Sequence, residues 1–536
     1  MTPIARLLTT VLAGLALFLS LGAWSLSSPV GAAPDDDFHL ASIWCGDGVR
    51  EGLCEPGSDA KHWQVPNKII QSTCYAFHPE VNASCQGPGY LDEGFRLAET
   101  DRLNAGSHQY PQGFYWWMSH LAGDNVAEST IAIRLVNAAL FSVLMVGTWR
   151  LLPRRFRFTL SAGAALTAVP LAMFLIPSAN PSSWSIISMA IMFPAMLGYL
   201  AARGWRAAAL GGITVLSALL GLGARGDSAA YVVVAVCAAL VLSFRRERDF
   251  FLRALLPVAL VVLAVVAFLG AGQTGLAIGG MGHTPATSSR AALILANLLA
   301  MPNLWAGIYG LGWGLGWLDT LLQPVVWAGA LLSVCGVLFV AFRWQGWRKL
   351  VAVLGVAAAA LIVPLYILVS SNVVVGYEVQ PRYILPLLTL LIATVLAPSE
   401  APGGRERTGI LLSGPQVWLI AGLLSVANAV ALYGNMHRYT GQGTMRLSGQ
   451  VAWWWHSAPT PLITWVIGAG AFAVTMAVFA RSATLRARSD APAGPSGSAG
   501  GSIPVAPSAD AAPGASRDAT GTASATASPE SSPRTA

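Results

Sequence analysis

Runs of about twenty apolar residues recur along this chain, separated by short clusters of arginine. A helix rises ~1.5 Å per residue, so a run of this length matches the ~30 Å hydrocarbon core of a bilayer. The runs fall near residues 5–28, 129–152, 158–177, 184–202, 207–223, 229–244, 251–272, 322–342, 350–371, 383–398, 409–432 and 460–480. They predict an all-α polytopic membrane protein with about 12 transmembrane helices.

Composition agrees. Hydrophobic residues make up 54% of the 536 and charged residues only 11%, against about 25% charged in a soluble domain. A chain of this size cannot hide that much apolar surface from water, so a bilayer must serve as part of its solvent. The net charge of +7 does not point to nucleic acid, because the arginines sit between apolar runs and form no binding stripe.

Those arginines also set an orientation. With the N-terminus inside, Arg150/Arg154/Arg155/Arg157, Arg203/Arg206, Arg245/Arg246/Arg248, Arg343/Arg348/Lys349, Arg405/Arg407 and Arg481/Arg486/Arg488 all fall on one side. The positive-inside rule makes that side cytoplasmic, with both termini, in a multi-pass plasma-membrane protein. The first run follows a short basic segment and precedes Val30-Gly31-Ala32-Ala33, as a cleaved signal would. It is longer than a signal's apolar region, so an uncleaved first helix is expected.

The membrane domain is expected to cover 1–488, with outer segments at 29–128, 273–321, Asn372–Arg382 and 433–459. Trp305, Trp313 and Trp317 in the second segment suit short interfacial or re-entrant pieces. Residues 489–536 are rich in Ala, Pro, Ser, Gly and Thr and are expected to form a disordered cytoplasmic tail. Four cysteines, Cys45, Cys54, Cys74 and Cys85, share the first outer loop. Their spacing lacks a C-x2-C pair, which favours disulfides over zinc in an oxidising compartment. Of the three possible pairings, Cys45–Cys54 and Cys74–Cys85 close the shortest loops.

Residues able to do chemistry gather on the expected outer side. Pro34-Asp35-Asp36-Asp37-Phe38-His39 emerges where the first span ends. Adjacent carboxylates repel, which suits a general base for a hydroxyl group or a divalent-metal site at Asp36 and Asp37. A solvated acidic cap at a helix start is the plainer alternative. Arg225-Gly226-Asp227 joins the fifth and sixth runs, a costly place for charge unless it faces a cavity or a partner. Gln380-Pro381-Arg382-Tyr383 opens the tenth run, where an arginine either anchors the interface or clamps a phosphate. His437 and Arg438, with Arg290, are weaker candidates of the same kind, and Asn180-Pro181-Ser182 is a polar turn on that side. There is no P-loop, nucleotide-binding glycine motif, H-E-x-x-H or nucleophile elbow.

Outward carboxylates beside outward arginines fit transfer from a lipid-linked phosphate: the arginines hold the phosphate and a carboxylate takes the acceptor's proton. Asp35-Asp36-x-x-His39 after a first span resembles the motif of GT-C-type, polyprenyl-phosphate-sugar-dependent glycosyltransferases. Together with Asn180-Pro181-Ser182, Arg225-Gly226-Asp227 and Gln380-x-Arg382-Tyr383-x-x-Pro386, it resembles a GT-C-like family of polytopic membrane proteins common in actinobacteria, over roughly residues 5–480. The resemblance implies an inverting transfer with Asp35 as general base, Asp36 orienting the acceptor or helping to hold a metal, and His39 supporting both. Asp-Asp stands where that family usually has Asp-Glu, so which carboxylate is the base stays open. The expected function is a membrane glycosyltransferase acting on a cell-envelope glycan or glycolipid. Its expected partners are a lipid-linked donor, a glycan or lipid acceptor and membrane lipids, with no nucleic acid; a divalent metal is a possible cofactor. A transporter or flippase of envelope precursors is the alternative, because twelve spans is a common transporter count.

Overall fold

The computed structural model describes residues 3–87, 89–90, 96–272, 289–342, 346–377, 379–400, 406–407, 412–441, 446–448, 451, 453–456 and 458–489, all within the unit Met1–Asp490. The expected tail lies outside the described residues from 490 onward. Among the described residues the protein is a helical membrane protein with nine helices long and apolar enough to cross a bilayer. They are α1 (Pro3–Leu26), α6 (Val126–Leu151), α9 (Ser182–Ala201), α10 (Trp205–Ala224), α12 (Arg248–Gly270), α14 (Pro324–Ala341), α15 (Trp347–Ser370), α17 (Gly414–Thr440) and α18 (Pro461–Ser489). The apolar helices α11 (Ser228–Ser243) and α16 (Pro381–Leu396) are shorter, at 16 residues each.

The expected span 158–177 is divided. It forms α7 (Arg154–Thr167) and α8 (Pro170–Leu175), of 14 and 6 residues. Pro170 disfavours helical backbone at the residue before it, and Val169 is extended, with φ −86° and ψ 163°. A second difference lies in 273–321, where α13 (Arg290–Gly307) is an 18-residue helix. A third is that α17 runs on to Thr440, so His437 and Arg438 sit in its last turn and not in a loop beginning at 433.

The first long loop folds on itself. Between α2 (Asp36–Trp44) and α6 lie three short strands, β1 (Glu55–Pro56), β2 (Trp63–Pro66) and β3 (Leu97–Thr100), in an antiparallel sheet of order β1-β2-β3. Glu55 pairs with Gln64, and Trp63 with Thr100. Three short helices, α3 (Asn67–Gln71), α4 (Asn104–Ser107) and α5 (Gly113–Ser119), complete it. Disulfides join Cys45 to Cys54 and Cys74 to Cys85, the two pairings expected from loop length.

Helix α9 is the hub, packed against α6, α7, α10, α11 and α16. Of its apolar window 78% is buried, against 17% for α12. Polar Ser182, Ser185 and Ser188 are therefore buried between α9 and its neighbours, while α12 turns Leu252, Leu255, Val262 and Leu269 outward. Exposed aliphatic side chains along a span are what lipid tails accept and water does not. The starts of α2, α9, α11 and α16 lie at one end of the bundle with the disulfide loop, and this is the disulfide end. The far ends of α9, α11 and α16 meet the starts of α7, α12 and α15 at the other, arginine-rich end.

Candidate functional site

Asp35 is the N-cap of α2 and adopts left-handed backbone, φ 59° and ψ 25°. Aspartate tolerates that region better than most residues. Its side chain makes no capping bond to the helix. Instead Oδ2 accepts a hydrogen bond from Arg382 Nη2 at 2.6 Å, across 347 residues of sequence. Asn180 steadies the approach: its Nδ2 donates to the Pro34 carbonyl at 2.9 Å, and its Oδ1 accepts from the Ser182 N–H.

Arg382 opens α16, where Pro381 occupies the first turn without leaving an unsatisfied N–H. Nη2 also contacts the Tyr383 hydroxyl at 2.8 Å. Nε and Nη1 are buried with no hydrogen-bond partner among the described residues. A buried guanidinium with unused donors is costly, and an oxyanion would satisfy both. Arg382 lines a narrow cleft with Pro34, Gly307, Gly310, Trp313 and Gly316. The cleft holds only about 10 Å³, roughly one water.

The ring of Tyr383 lies against two guanidiniums, with centroid distances of 4.9 Å to Arg382 and 4.6 Å to Arg225. Arg225 is clamped by Asp227 through Nε–Oδ1 at 2.9 Å and Nη2–Oδ2 at 2.8 Å, and reaches Ser182 Oγ at 3.3 Å. Tyr110 joins the group, its ring 5.8 Å from the Arg225 guanidinium. The loop comes this close because α5 meets α10 glycine to glycine: a Cβ on Gly113 would stand 2.9 Å from Gly223. His39 Nδ1 lies 2.9 Å from the Tyr115 hydroxyl.

The three adjacent carboxylates have three different fates. Burial works to raise the Asp35 carboxyl, but the Arg382 guanidinium, with Arg102, outweighs it and leaves it below the usual range, ionised. Asp36 is fully buried and turned away, its Oδ2 accepting from the Ala33 N–H at 2.9 Å and standing 3.9 Å from Arg134 Nη2. Burial dominates there and pushes it up to about 7. Asp37 pairs with Arg102 on the surface. Burial pushes His39 down to about 3, so it is a neutral imidazole. Asp36 and Asp37, expected as metal ligands, therefore point to different partners. Among the described residues no group of three or more His, Cys, Asp or Glu converges to hold a metal, so the residues do not fit that site.

Of the expected site residues, Asp35, His39, Asn180, Arg225, Asp227, Arg382 and Tyr383 come together. His437 and Arg438 do not join them. Arg438 donates to the carbonyls of Tyr75, His78 and Val81 and pairs with Asp319 at 2.8 Å, gripping the loop that the Cys74–Cys85 bridge closes. His437 stacks on Tyr433, with centroids 5.8 Å apart.

Arg134, Arg102, Asp319, Tyr110 and Tyr115 are not among the residues expected from the sequence. Arg134 carried a signal as a lone charge inside an apolar run. It is buried and donates to the carbonyls of Ser25, Ser28 and Pro29, capping the end of α1. The two tyrosines carried none, since only the folded loop brings them near Arg225.

A family model described as "Predicted membrane protein (DUF2142)" matches residues 18–392. The match begins inside α1 and ends inside α16, so it contains Asp35, Asn180, Arg225 and Arg382 and leaves out Arg438. No curated protein matches the chain.

Proposed function

The chain belongs to the DUF2142 family of predicted membrane proteins, and from that premise we propose that it is a GT-C-like glycosyltransferase. It would move a sugar from a polyprenyl-phosphate donor to a cell-envelope glycan or glycolipid. The ion pair between Asp35 and Arg382, with two Arg382 donors unused, carries this reading. Two disulfides at that end favour an oxidising compartment outside the cytoplasm, where nucleotide sugars are absent, and so support a lipid-linked donor.

In the resting protein Asp35 neutralises Arg382. A donor phosphate entering the cleft would compete for the guanidinium and free the carboxylate for an acceptor hydroxyl. Asp35 takes that proton as the acceptor oxygen bonds to the sugar's anomeric carbon. The bond from that carbon to the phosphate oxygen breaks on the opposite face, and polyprenyl phosphate leaves with the electron pair, which inverts the anomeric centre. Its charge needs cations and no protonation, and Arg382 at the start of α16 meets that need, with Arg225 behind it. Asp227 and Tyr383 position the two arginines. Neutral His39 orders the wall through Tyr115. The near-closed cleft requires an opening step between α13, the 307–318 segment and α16 before a donor can enter.

Membranes containing the protein, incubated with a panel of polyprenyl-phosphate sugars, test this reading. Transfer from at least one donor is expected. Failure of every donor, with solute counter-flow in reconstituted vesicles, would instead support a transporter.

A further inference from the structure

We propose that the arginine-rich end of the bundle carries a second binding site, for the phosphate group of an anionic ligand. It is independent of the chemistry proposed at the disulfide end. Helix α9 alone, at 20 residues, separates the two by about 30 Å.

The site is a cavity of about 500 Å³, within the range of small-molecule pockets. Arg155, Arg203, Arg245, Arg253, Arg348 and Lys349 line it, with Glu247 and Asp249 the only acidic residues in the lining among the described residues. Asp249 is engaged by Arg253 at 3.2 Å. Positive charge is therefore in surplus within a concave space, where low-dielectric walls concentrate the field.

Lys349 separates this cavity from an ordinary basic loop. It is 6% exposed, lines the cavity, and has no hydrogen-bond or ion-pair partner among the described residues. It sits in the first turn of α15, and Gly346, Trp347 and Arg348 line the same space. First-turn N–H groups lack acceptors within the helix and add to the attraction for an anion. Arginines that merely set topology need only lie in a cytoplasmic loop. That role gives no reason to bury a lysine in a cavity wall, because an unpaired buried ammonium is costly. A phosphate would pair with it and could accept from the helix terminus at once.

A phosphate at this depth can belong to an anionic lipid headgroup or to a soluble phosphorylated molecule. The full chain in phosphatidylcholine nanodiscs would be titrated with inorganic pyrophosphate. In a parallel arm it would be exposed to phosphatidylglycerol vesicles and the retained lipid counted by native mass spectrometry. Saturable binding is expected in one arm, and the arm that binds identifies the source. Lys349→Gln should weaken it about tenfold, the cost of one charged hydrogen bond. Arg206→Gln, an exposed arginine at the same end that does not line the cavity, should leave it unchanged. The proposal fails if neither probe saturates or if the two variants lose binding equally. Should Lys349→Gln not fold, Arg203→Gln on the exposed rim carries the same expectation and the same refutation.

Discussion

At the disulfide end Asp35, Asp36, Asp37, Asp227 and Asp319 each stand within 3.9 Å of an arginine: Arg382, Arg134, Arg102, Arg225 and Arg438. At the other end six cations and two carboxylates, Glu247 and Asp249, line one cavity among the described residues. The first end is closely packed, and charge buried in packing must be paired or it expels itself toward water. The second end is open, so Arg203 and Lys349, without ion pairs among the described residues, are left for water, lipid or a ligand to balance. Pairing also serves the proposed chemistry at the first end, because a carboxylate held on an arginine is already ionised and aimed. The second end offers the proposed anion site through Lys349, which lines the cavity without an ion pair among the described residues.

The largest effect should come from breaking a buried pair. Arg134→Leu removes the partner of Asp36 and strips the donors from three carbonyls at the end of α1. A loss of about 3–5 kcal/mol is expected, seen as a large drop in the detergent-solubilised melting temperature. A melt like that of the unaltered protein would remove the distinction between the ends. At the surplus end, Arg203→Gln should shift stability by no more than about 0.5 kcal/mol, since this exposed cation has no ion pair among the described residues. A marked destabilisation there would show pairing that the comparison denies.

Much of the scaffold was legible in the sequence because a bilayer imposes a length on every crossing. The arginine clusters named one end in advance, and Arg155, Arg203, Arg245, Arg348 and Lys349 do share a cavity. The break at Val169-Pro170 had a local cause that the apolar composition of 158–177 concealed. Strands of two to four residues are too short to show a period. At the site, motif order suggested that Asp35 and Arg382 act together, but only the fold reveals a 2.6 Å contact between residues so far apart. It also separates Asp35 from Asp36, identical neighbours that the helix start turns in different directions. Arg438 looked like a substrate cation because α17 was expected to end before it. About two extra turns deliver it to the carbonyls of the disulfide loop.

Transfer from a polyprenyl-phosphate sugar, measured side by side for Asp35→Asn and Asp36→Asn in the same membranes, tests the central claim most directly. Asp35→Asn should fold but lose about 10²–10⁴-fold in rate, the usual contribution of a general base. Asp36→Asn should keep most of its transfer and show its cost in stability, because its carboxylate faces Ala33 and Arg134. Undiminished transfer in folded Asp35→Asn, or loss of transfer in a stable Asp36→Asn alone, would contradict that claim.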